Sequence, residues 1–490
     1  MPRGLQHDFS TQGRESHIKG AAVRTERKIQ TEKEIYSTIG LTVTAESLPP
    51  LHSLSPKQIS YLAVRIAGQF SATQDYDLEY FTTRVEFKTN FYAITIIGSS
   101  ASAVIAKSMS RKYWRRRIQY EADIARLNAE AALKTVGGLS PAAQLYSSDV
   151  TVEKIRIRKS DQDDYLSSKV IVNTHTGNKI SLSELAERAT VNRFKELYWI
   201  SKNFESIAKD RGMGWLFVTY TAPPEYHPNP LKGKCSYNPK LGVKASHDYI
   251  SSAWARIRSL LNKRNFKSGI DTYFGIRTAE THKDGSVHWH LLVFATPEAT
   301  NPFIEASKEQ FPLYGQLKVE IGDPNIGSAS SYIFKYLAKG FDTSVSNFDS
   351  QGKDAETDDL REEEDLASIR YGERVRAALQ TMRVRQYQPF GVKNVLTLIR
   401  SVNKLQEEDF KSLEGEVAEI VKTKIWRNPS GLKNLLQAPD LFRKYNGVAP
   451  LMLIREESQT VYGEKTYKII GLKIGDNHIF SQGKFKIEDA

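Results

Sequence analysis

Two histidines, His288 and His290, flank a tryptophan in the apolar segment VHWHLLVFA. The composition of this segment predicts a β-strand, in which side chains two residues apart lie on the same face. Both imidazoles can therefore reach one cation, while Trp289 points into the opposite, apolar layer. A His-x-His strand is ambiguous by itself, because a structural or surface histidine pair is at least as common as a pair of metal ligands.

A second strand is predicted at residues 271–280. The THKDGS segment that follows has the composition of a turn, with Asp284-Gly285 at its centre. A hairpin closed at this turn brings Glu280 beside His288. A carboxylate then joins the two imidazoles, which gives three ligands and leaves coordination positions open.

Two alternatives remain for this hairpin. His282 lies nearer the turn and is a candidate substitute ligand, and Glu280 could instead form a cross-strand salt bridge with Arg277 or Lys283. Mixed imidazole and carboxylate ligands beside a phosphate suit Mg²⁺ or Mn²⁺. Zn²⁺ would also fit, but it is less suited to a transient site that the substrate completes.

Two tyrosines, Tyr332 and Tyr336, lie in SASSYIFKYLAK, whose pattern predicts a helix over residues 328–339. At a spacing of four they share one helical face, one turn apart. Lys335 and Lys339 repeat at the same spacing beside that face. Tyrosines at this spacing are most often core packing, but a buried aromatic stripe does not need two adjacent lysines.

Together these groups describe a phosphotransfer site. A metal ion would polarise the scissile phosphate and screen its charge. A tyrosine oxygen would attack in line, leaving a 3′-hydroxyl and a 5′-phosphotyrosine. The second tyrosine could attack the next junction while the first is occupied, and Lys335 or Lys339 could favour the tyrosine anion or neutralise phosphate charge.

The 490-residue chain carries a formal net charge of +12, a surplus that suits a polyanionic partner such as nucleic acid. Its single cysteine, Cys235, excludes an internal disulfide framework and a cysteine-rich zinc site, and it indicates a reducing compartment. The N-terminal residues lack the apolar core of a signal peptide, and no run of about 18 apolar residues occurs. We therefore expect a cytoplasmic protein without a membrane partner.

Basic side chains crowd into one or two turns of a helical pattern at residues 101–134. A phosphate-binding helix is one interpretation of this charge density, and a solvated basic face is an equally good one. The predicted DNA-binding residues are Arg111, Lys112, Arg115, Arg116 and Arg117.

Shifts in composition divide the chain into six segments. In order, they are a flexible basic arm at 1–35, an N-terminal α/β region at 36–105, a helical basic region at 106–211, a core at 212–345 that contains the histidine hairpin and the tyrosine pair, an acidic loop and helical extension at 346–404, and a C-terminal module at 405–490. The roles of residues 1–105 and 405–490 stay open.

Periodicity predicts the elements within these segments. Helices are expected at 54–69, 247–261 and 371–382, as a pair within 181–211, and near 406–423. Strands are expected within 83–97, at 215–221 and 317–321, and as short alternating strands from 451 to 485. The segment 223–242 is rich in proline and glycine, which indicates an irregular loop.

Four segments resemble the phage replication gene A protein family, whose members are HUH endonucleases that initiate rolling-circle replication. VTYTAPPEYHP at 218–228 resembles the first strand motif, and FGIRTAETHKDGSVHWHLLVF at 274–294 resembles the metal-binding hairpin. SASSYIFKYLAKGFD at 328–342 resembles the two-tyrosine helix. RVRQYQPFG at 383–391 resembles a segment that follows this helix in the family. With weaker similarity upstream, the resemblance covers roughly residues 110–400 with the motif order intact.

The resemblance implies an α+β fold. An HUH endonuclease domain with a central antiparallel sheet flanked by helices would be joined to a helical N-terminal region and a small α+β C-terminal module. The implied metal ligands are His288, His290 and Glu280, and the implied nucleophiles are Tyr332 and Tyr336, with Lys335 and Lys339 as neighbours. Thr281 and Gly340 replace a proline and an asparagine of the family pattern, and neither change removes a catalytic group.

The implied function is site-specific nicking and rejoining of single-stranded DNA at a phage or prophage replication origin in a bacterial cell. Because the chain has no G-x-x-x-x-G-K-[ST] segment, strand separation is expected to need a host helicase.

Three alternatives differ in testable ways. A two-tyrosine transposase or plasmid replication initiator would use the same chemistry, but the upstream similarity favours the phage family. A catalytically inactive DNA-binding protein would form no covalent adduct. A metal hydrolase that uses water as its nucleophile would leave the tyrosine pair unexplained.

Overall fold

A computed structural model describes residues 50–72, 84–88, 93–139, 143–174, 176–231, 233–322, 328–330, 333, 361–480 and 485–489. The chain forms two compact units. The first comprises residues 1–122 and 457–466, and the second comprises residues 123–456 and 467–490. Residues of the predicted C-terminal module therefore occur in both units.

The first unit combines helices with a short hairpin. Its elements are α1 (Pro56–Ala72), β1 (Arg84–Lys88), β2 (Ala93–Ile97), α2 (Ala101–Ser108) and the N-terminal half of α3 (Arg111–Ala132). The two strands pair in antiparallel fashion. Trp114 of α3 is fully buried, stacks on Phe70 at 6.1 Å between ring centroids and donates its indole N–H to the Ser108 carbonyl. One side of α3 therefore enters this core, which leaves its basic residues on the other side.

The second unit continues with a small sheet and a long helix. After α3 come α4 (Asp149–Ser167), β3 (Lys169–Asn173), β4 (Lys179–Ser181) and α5 (Leu182–Asp210). The structure shows one helix of 29 residues where the sequence predicted two, so that prediction was wrong. No glycine or proline interrupts residues 182–210, and the Ser181 hydroxyl caps the N-terminus by accepting the N–H of Ser183.

The central sheet has five strands. Its elements, with their connecting helices, are β5 (Gly214–Thr221), α6 (Ala245–Lys263), β6 (Tyr273–Thr281), β7 (Val287–Ala295), α7 (Pro297–Gln310), β8 (Leu317–Ile321), α8 (Arg361–Met382) and β9 (Tyr387–Phe390). The strand order is β8-β5-β7-β6-β9, and every neighbouring pair is antiparallel. The predicted strands at 215–221, 271–280, 287–295 and 317–321 and the predicted α+β class are confirmed, whereas α7 was not predicted.

Alternating side chains give this sheet two buried faces. The front face carries Phe217, Ile276 and Leu292 and packs against α5. The back face carries Val218 and Leu291 and packs against α6, α7 and α8. A sheet covered on both sides is rigid, so the position of a residue on β6 or β7 fixes the direction of its side chain.

The remaining elements follow the sheet. They are α9 (Lys393–Val402), α10 (Glu407–Lys411), α11 (Glu416–Ile420) with a π-helical turn at Val421–Ile425, α12 (Gly431–Gln437), β10 (Leu451–Gln459), β11 (Lys465–Ile474), β12 (Asn477–Phe480) and β13 (Phe485–Asp489). Leu435, Leu451 and Ile474 belong to the same apolar core as Phe217 of the front face. The single helix predicted near 406–423 is instead broken, because Gly415 takes a backbone φ of +101°.

Candidate metal centre

The β6–β7 hairpin aligns four polar side chains on the front face. Glu280 lies opposite His288 in the strand register, and Thr278 lies opposite His290. The turn is closed by the His282 N–H, which donates to the Ser286 carbonyl at 2.7 Å, and by the Gly285 N–H, which donates to the His282 carbonyl at 2.9 Å. The register therefore follows from the short turn that the sequence predicted.

Glu280, His288 and His290 converge. Glu280 Oε2 lies 3.6 Å from His288 Nε2 and 3.6 Å from His290 Nε2. Glu280 is 7% exposed and His290 is 6% exposed. Their donor atoms lie within 4.8 Å of one another, and in the described part of the chain this is the one group of at least three such residues. Two imidazoles and a carboxylate at this separation can share one divalent cation.

His290 is oriented by the neighbouring strand. Its Nδ1 lies 3.0 Å from the Thr219 hydroxyl on β5, and its ring stacks on Phe217 with centroids 5.5 Å apart. An Nδ1–H that donates to Thr219 leaves the lone pair of Nε2 directed at Glu280. This is the tautomer that a metal requires, and such a partner behind the ring is typical of metal-ligating histidines.

The buried nitrogens of His288 support a cation at this position. Neither Nδ1 nor Nε2 of His288 has a hydrogen-bond partner among the described residues, although both atoms are buried. A buried polar atom without a partner costs about 1–3 kcal/mol, so such atoms call for an explanation. The donor set therefore fits a divalent cation held by Glu280, His288 and His290.

His282 extends this cluster towards the turn. Its ring lies 3.9 Å from that of His288, measured between centroids. Burial, and then the charge of His288, lower the pKa of His282 well below its ordinary value. The ring of His282 therefore adjoins the three clustered residues through His288.

The loop after β5 is tied to the same turn. His227 Nδ1 lies 3.0 Å from Asp284 Oδ2 and 2.9 Å from the Ser286 hydroxyl, and His227 Nε2 lies 3.2 Å from the Ala222 carbonyl. Burial opposes ionisation of Asp284, but its hydrogen bonds with His227 and Ser286 hold its pKa below the ordinary value. Sequence analysis missed this network, although His227 belongs to the PEYHP segment of the first strand motif.

Tyr146 also contacts the turn. Its backbone φ of +70° is uncommon for an aromatic residue, and its N–H donates to the Lys283 carbonyl at 2.9 Å. Burial, and then the negative charge of Glu280, raise the pKa of Tyr146. A second tyrosine ring, that of Tyr371, lies 5.3 Å away. No role for Tyr146 was predicted from the sequence.

The back face of the hairpin excludes one alternative for Glu280. Arg277 lies over the Trp289 ring, with its guanidinium carbon 4.3 Å from the centroid. Its guanidinium donates to the Arg385 carbonyl at 2.6 Å and to Gln388 Oε1 at 3.1 Å. The alternative of a salt bridge between Glu280 and Arg277 is therefore excluded, because the two side chains lie on opposite faces.

The predicted nucleophile helix is described only in part. Tyr332, Tyr336, Lys335 and Lys339 lie outside the described residues. The residues around them that are described, Ala329, Ser330 and Ile333, are helical. Ala329 and Ile333 are buried in the front-face core, and the hydroxyls of Ser328 and Ser330 donate to the Glu205 carboxylate of α5. The start of this helix is therefore fixed on the sheet face that also carries the histidines.

The predicted DNA-binding residues lie on α3 in the first unit. Arg111, Lys112, Arg115 and Arg116 are exposed. Arg117 is half-buried and pairs with Glu121 at 2.7 Å. Exposure is required for phosphate binding but does not distinguish it from a solvated basic face. No helix in the described ranges is long and apolar enough to cross a membrane.

Comparison with known proteins gives a consistent set of relatives. The chain is 29% identical over 294 residues to the replication protein of Haemophilus phage HP1, covering 57% of this chain and 35% of that protein. It is 28% identical over 390 residues to the replication gene A protein of Escherichia phage 186, and the alignment covers 75% of this chain and 52% of that protein. A probable replication endonuclease from a prophage-like region of Escherichia coli O6:H1 is 28% identical over 317 residues, and the alignment covers 61% of this chain and 36% of that protein.

The chain thus spans between about a third and about a half of the length of these three relatives. No solved structure matches it. The sequence profile of the bacteriophage replication gene A protein matches residues 82–344, which include the histidine hairpin and the tyrosine segment. This match covers more than half of the chain, and the chain therefore belongs to the bacteriophage replication gene A protein family.

Proposed function

We propose that this chain is a site-specific endonuclease of the HUH type that nicks and rejoins single-stranded DNA to initiate rolling-circle replication of a phage or prophage. The observation that carries the proposal is the Glu280–His288–His290 cluster on one face of an antiparallel hairpin. The relative from Escherichia coli O6:H1 supports the proposal, because it is named a probable replication endonuclease.

Glu280, His288 and His290 would hold Mg²⁺ or Mn²⁺, with His282 as a further candidate. When bound, the ion supplies charge neutralisation and polarisation at the scissile phosphate. The protein's own part is to orient the ligands. Thr219 fixes the ring of His290, and the two strands fix the distance between Glu280 and His288.

Tyr332 and Tyr336 are the proposed nucleophiles. The oxygen of one tyrosine would form a bond to phosphorus as the bond to the 3′-oxygen breaks, which leaves a 3′-hydroxyl and a 5′-phosphotyrosine. Lys335 and Lys339 would neutralise charge nearby. The proposal is supported by Ala329 and Ile333, which anchor the start of this helix in the front-face core. Because the phosphotyrosine bond would retain the energy of the broken phosphodiester bond, the strand could then be rejoined.

Binding of the single strand at the origin would use the exposed arginines and lysine of α3. Their contribution would be electrostatic and independent of base sequence, so it would weaken as the salt concentration rises. A host helicase remains the proposed partner for strand separation, and the proposed location is the DNA of a bacterial host cell.

A covalent-adduct assay tests this function. The full chain is incubated with Mn²⁺ or Mg²⁺ and single-stranded DNA from its own origin, and denaturation-resistant protein–DNA complexes are quantified. We expect Tyr332→Phe or Tyr336→Phe to weaken adduct formation and the double variant to abolish it. Tyr314→Phe is the matched control, because Tyr314 is fully exposed in the loop before β8. An adduct of native yield with the double variant would exclude the proposed nucleophiles.

A further inference from the structure

Tyr387, on the edge strand β9, shares the front face with the histidines. It lies opposite Thr278 on β6, and Thr278 lies opposite His290 on β7. Residues directly opposite one another in neighbouring strands project from the same face, so these three side chains form one row across the sheet. Because neighbouring strands are about 4.8 Å apart, the backbone of Tyr387 lies roughly 10 Å from that of His290.

Tyr387 belongs to the RVRQYQPFG segment, to which the proposed function gives no role. The neighbours of Tyr387 in this segment serve the back face. The Arg385 carbonyl and Gln388 Oε1 accept hydrogen bonds from Arg277, and Phe390 is part of the back-face core. Tyr387 takes no part in that network because it projects from the opposite face, so its role must be sought on the front face.

Tyr387 holds an arginine of α5 at this edge of the sheet. The Arg193 Nε–H donates to the Tyr387 hydroxyl at 3.0 Å, and the guanidinium carbon lies 5.0 Å from the centroid of the Tyr387 ring. The ring itself packs against Phe194 and Leu197 of α5. Burial raises the pKa of Tyr387, so its oxygen accepts the hydrogen bond as a neutral phenol. Arg193 is exposed, yet its guanidinium is held in one position.

The positive charge of Arg193 is not neutralised by a salt bridge in the described part of the chain. The next carboxylate along α5, that of Glu196, pairs with Arg400 of α9. Arg188, which lies earlier on the same helix, pairs with Glu184. The Arg193 side chain uses only its Nε–H for hydrogen bonding to described residues, so its two terminal nitrogens are available to a ligand. Such a ligand must be an anion.

We propose that Arg193 binds a phosphate of the single DNA strand beside the scissile one, and that Tyr387 positions the guanidinium for this contact. The inference rests on the proposed function and adds where the strand leaves the front face, at the edge formed by β9 and α5. Paired N–H donors of a guanidinium match two oxygens of a phosphate. Because Tyr387 already holds the guanidinium, little side-chain freedom is lost when the phosphate binds.

DNA binding in EDTA tests this contact without the metal centre. The full chain is titrated with a fluorescent single-stranded oligonucleotide from its own origin, and anisotropy gives the affinity at several salt concentrations. Arg193→Gln should weaken binding on the order of 10-fold. It should also reduce the slope of log affinity against log salt by about 0.7, the value for one phosphate of a single strand.

Two further variants separate the contact from general effects. Arg188→Gln is the matched control, because it removes an exposed arginine of the same helix that is paired with Glu184. It should change the affinity and the salt slope much less than Arg193→Gln, and equal effects would overturn the inference. Tyr387→Phe keeps the ring but removes the acceptor of the Arg193 Nε–H. It should weaken binding less than Arg193→Gln and leave the salt slope native, since the charge remains.

Uncharged phosphates identify the contact directly. Each phosphate of the oligonucleotide is replaced in turn by a methylphosphonate. The native chain should lose affinity on the order of 10-fold at a position beside the scissile phosphate, and Arg193→Gln should be insensitive at that position alone. If both proteins respond alike at every position while the native chain still forms its Mn²⁺-dependent adduct, the phosphate site is overturned and the endonuclease proposal stands. A native chain that neither binds the oligonucleotide nor forms an adduct would overturn both.

Discussion

Both faces of the β6–β7 hairpin carry polar side chains, but the two sets differ in their hydrogen bonding. On the front face, Glu280, His288 and His290 converge, and both nitrogens of His288 lack a hydrogen-bond partner in the described part of the chain. On the back face, Arg277 and Trp289 donate to protein acceptors or stack on each other. The same two strands therefore present donor atoms for a ligand on one side and a satisfied polar network on the other.

The back-face network is held by protein groups alone. The Trp289 indole N–H donates to His247 Nδ1 at 3.1 Å. Burial, and then the positive charge of Arg277, lower the pKa of His247 to about 4. Burial, and then Arg385, lower the pKa of Arg277 to about 10. We infer that the back face contributes to stability and the front face to metal chemistry, and four variants test this division.

The largest effect is expected on the front face. His288→Ala removes a proposed metal ligand, so Mn²⁺-dependent cleavage of single-stranded DNA should fall by more than about 100-fold, beyond the range for groups behind the ligands. The free energy of unfolding without metal should change by less than about 1 kcal/mol, since the imidazole has no described hydrogen bond to lose. Cleavage kinetics and urea unfolding measure the two quantities. Native cleavage by this variant would remove His288 from the centre.

The next effect concerns stability and belongs to the back face. Trp289→Ala leaves a cavity beneath the sheet and removes the contacts of Arg277 and His247, so it should lower the free energy of unfolding by about 3–5 kcal/mol. Urea unfolding measures the loss. Trp199→Ala is the matched control, because Trp199 is 43% exposed on α5 and should cost less than about 1 kcal/mol. Equal losses for the two variants would show that Trp289 is not the stabilising residue we infer.

Acid should destabilise the back face through His247. Its pKa is lowered from 6.5 to about 4 in the folded chain, so the unfolded chain takes up the proton first as the pH falls. The stability that the neutral His247 contributes is present above pH 6.5 and is lost between pH 6.5 and about 4. The loss should be about 3 kcal/mol at most. Urea unfolding of native protein and His247→Gln at several pH values measures the difference. An identical pH dependence in both proteins would contradict this assignment.

The smallest effect separates orientation from ligation on the front face. Thr219→Val removes the hydroxyl that contacts His290 Nδ1, so it should weaken Mn²⁺ binding on the order of 10-fold without abolishing it. Isothermal titration of the metal measures this. Thr219→Ser, which keeps the hydroxyl, should restore most of the affinity. If both variants bind Mn²⁺ like the native protein, Thr219 does not orient His290.

Local patterns predicted the hairpin well. Alternation in VHWHLLVFA indicated that His288 and His290 share a face, and Asp284-Gly285 located the turn. The same alternation could have excluded the salt bridge between Arg277 and Glu280, because residues three apart on a strand point to opposite faces. These features depend on sequence spacing alone, so a single sequence is sufficient to find them.

Features that depend on distant segments were not predictable. The bond between His227 and Asp284 joins residues 57 positions apart, and the contact of Tyr146 with Lys283 joins more distant ones. Single-sequence periodicity contains no information on such pairs. The division of residues 182–210 into two helices failed for a different reason, since no glycine or proline interrupts the segment and the helix continues through residues 182–193, which are not buried.

The most direct test of the account is the chemical identity of the residue that carries the DNA. The Mn²⁺-dependent adduct of the native chain is digested with nuclease and protease, and mass spectrometry locates the residual nucleotide. We predict a phosphotyrosine bond at Tyr332 or Tyr336, and no adduct when EDTA replaces Mn²⁺. A nucleotide on any other residue, such as Tyr146 beside the hairpin turn, or an adduct that forms in EDTA, would contradict the account.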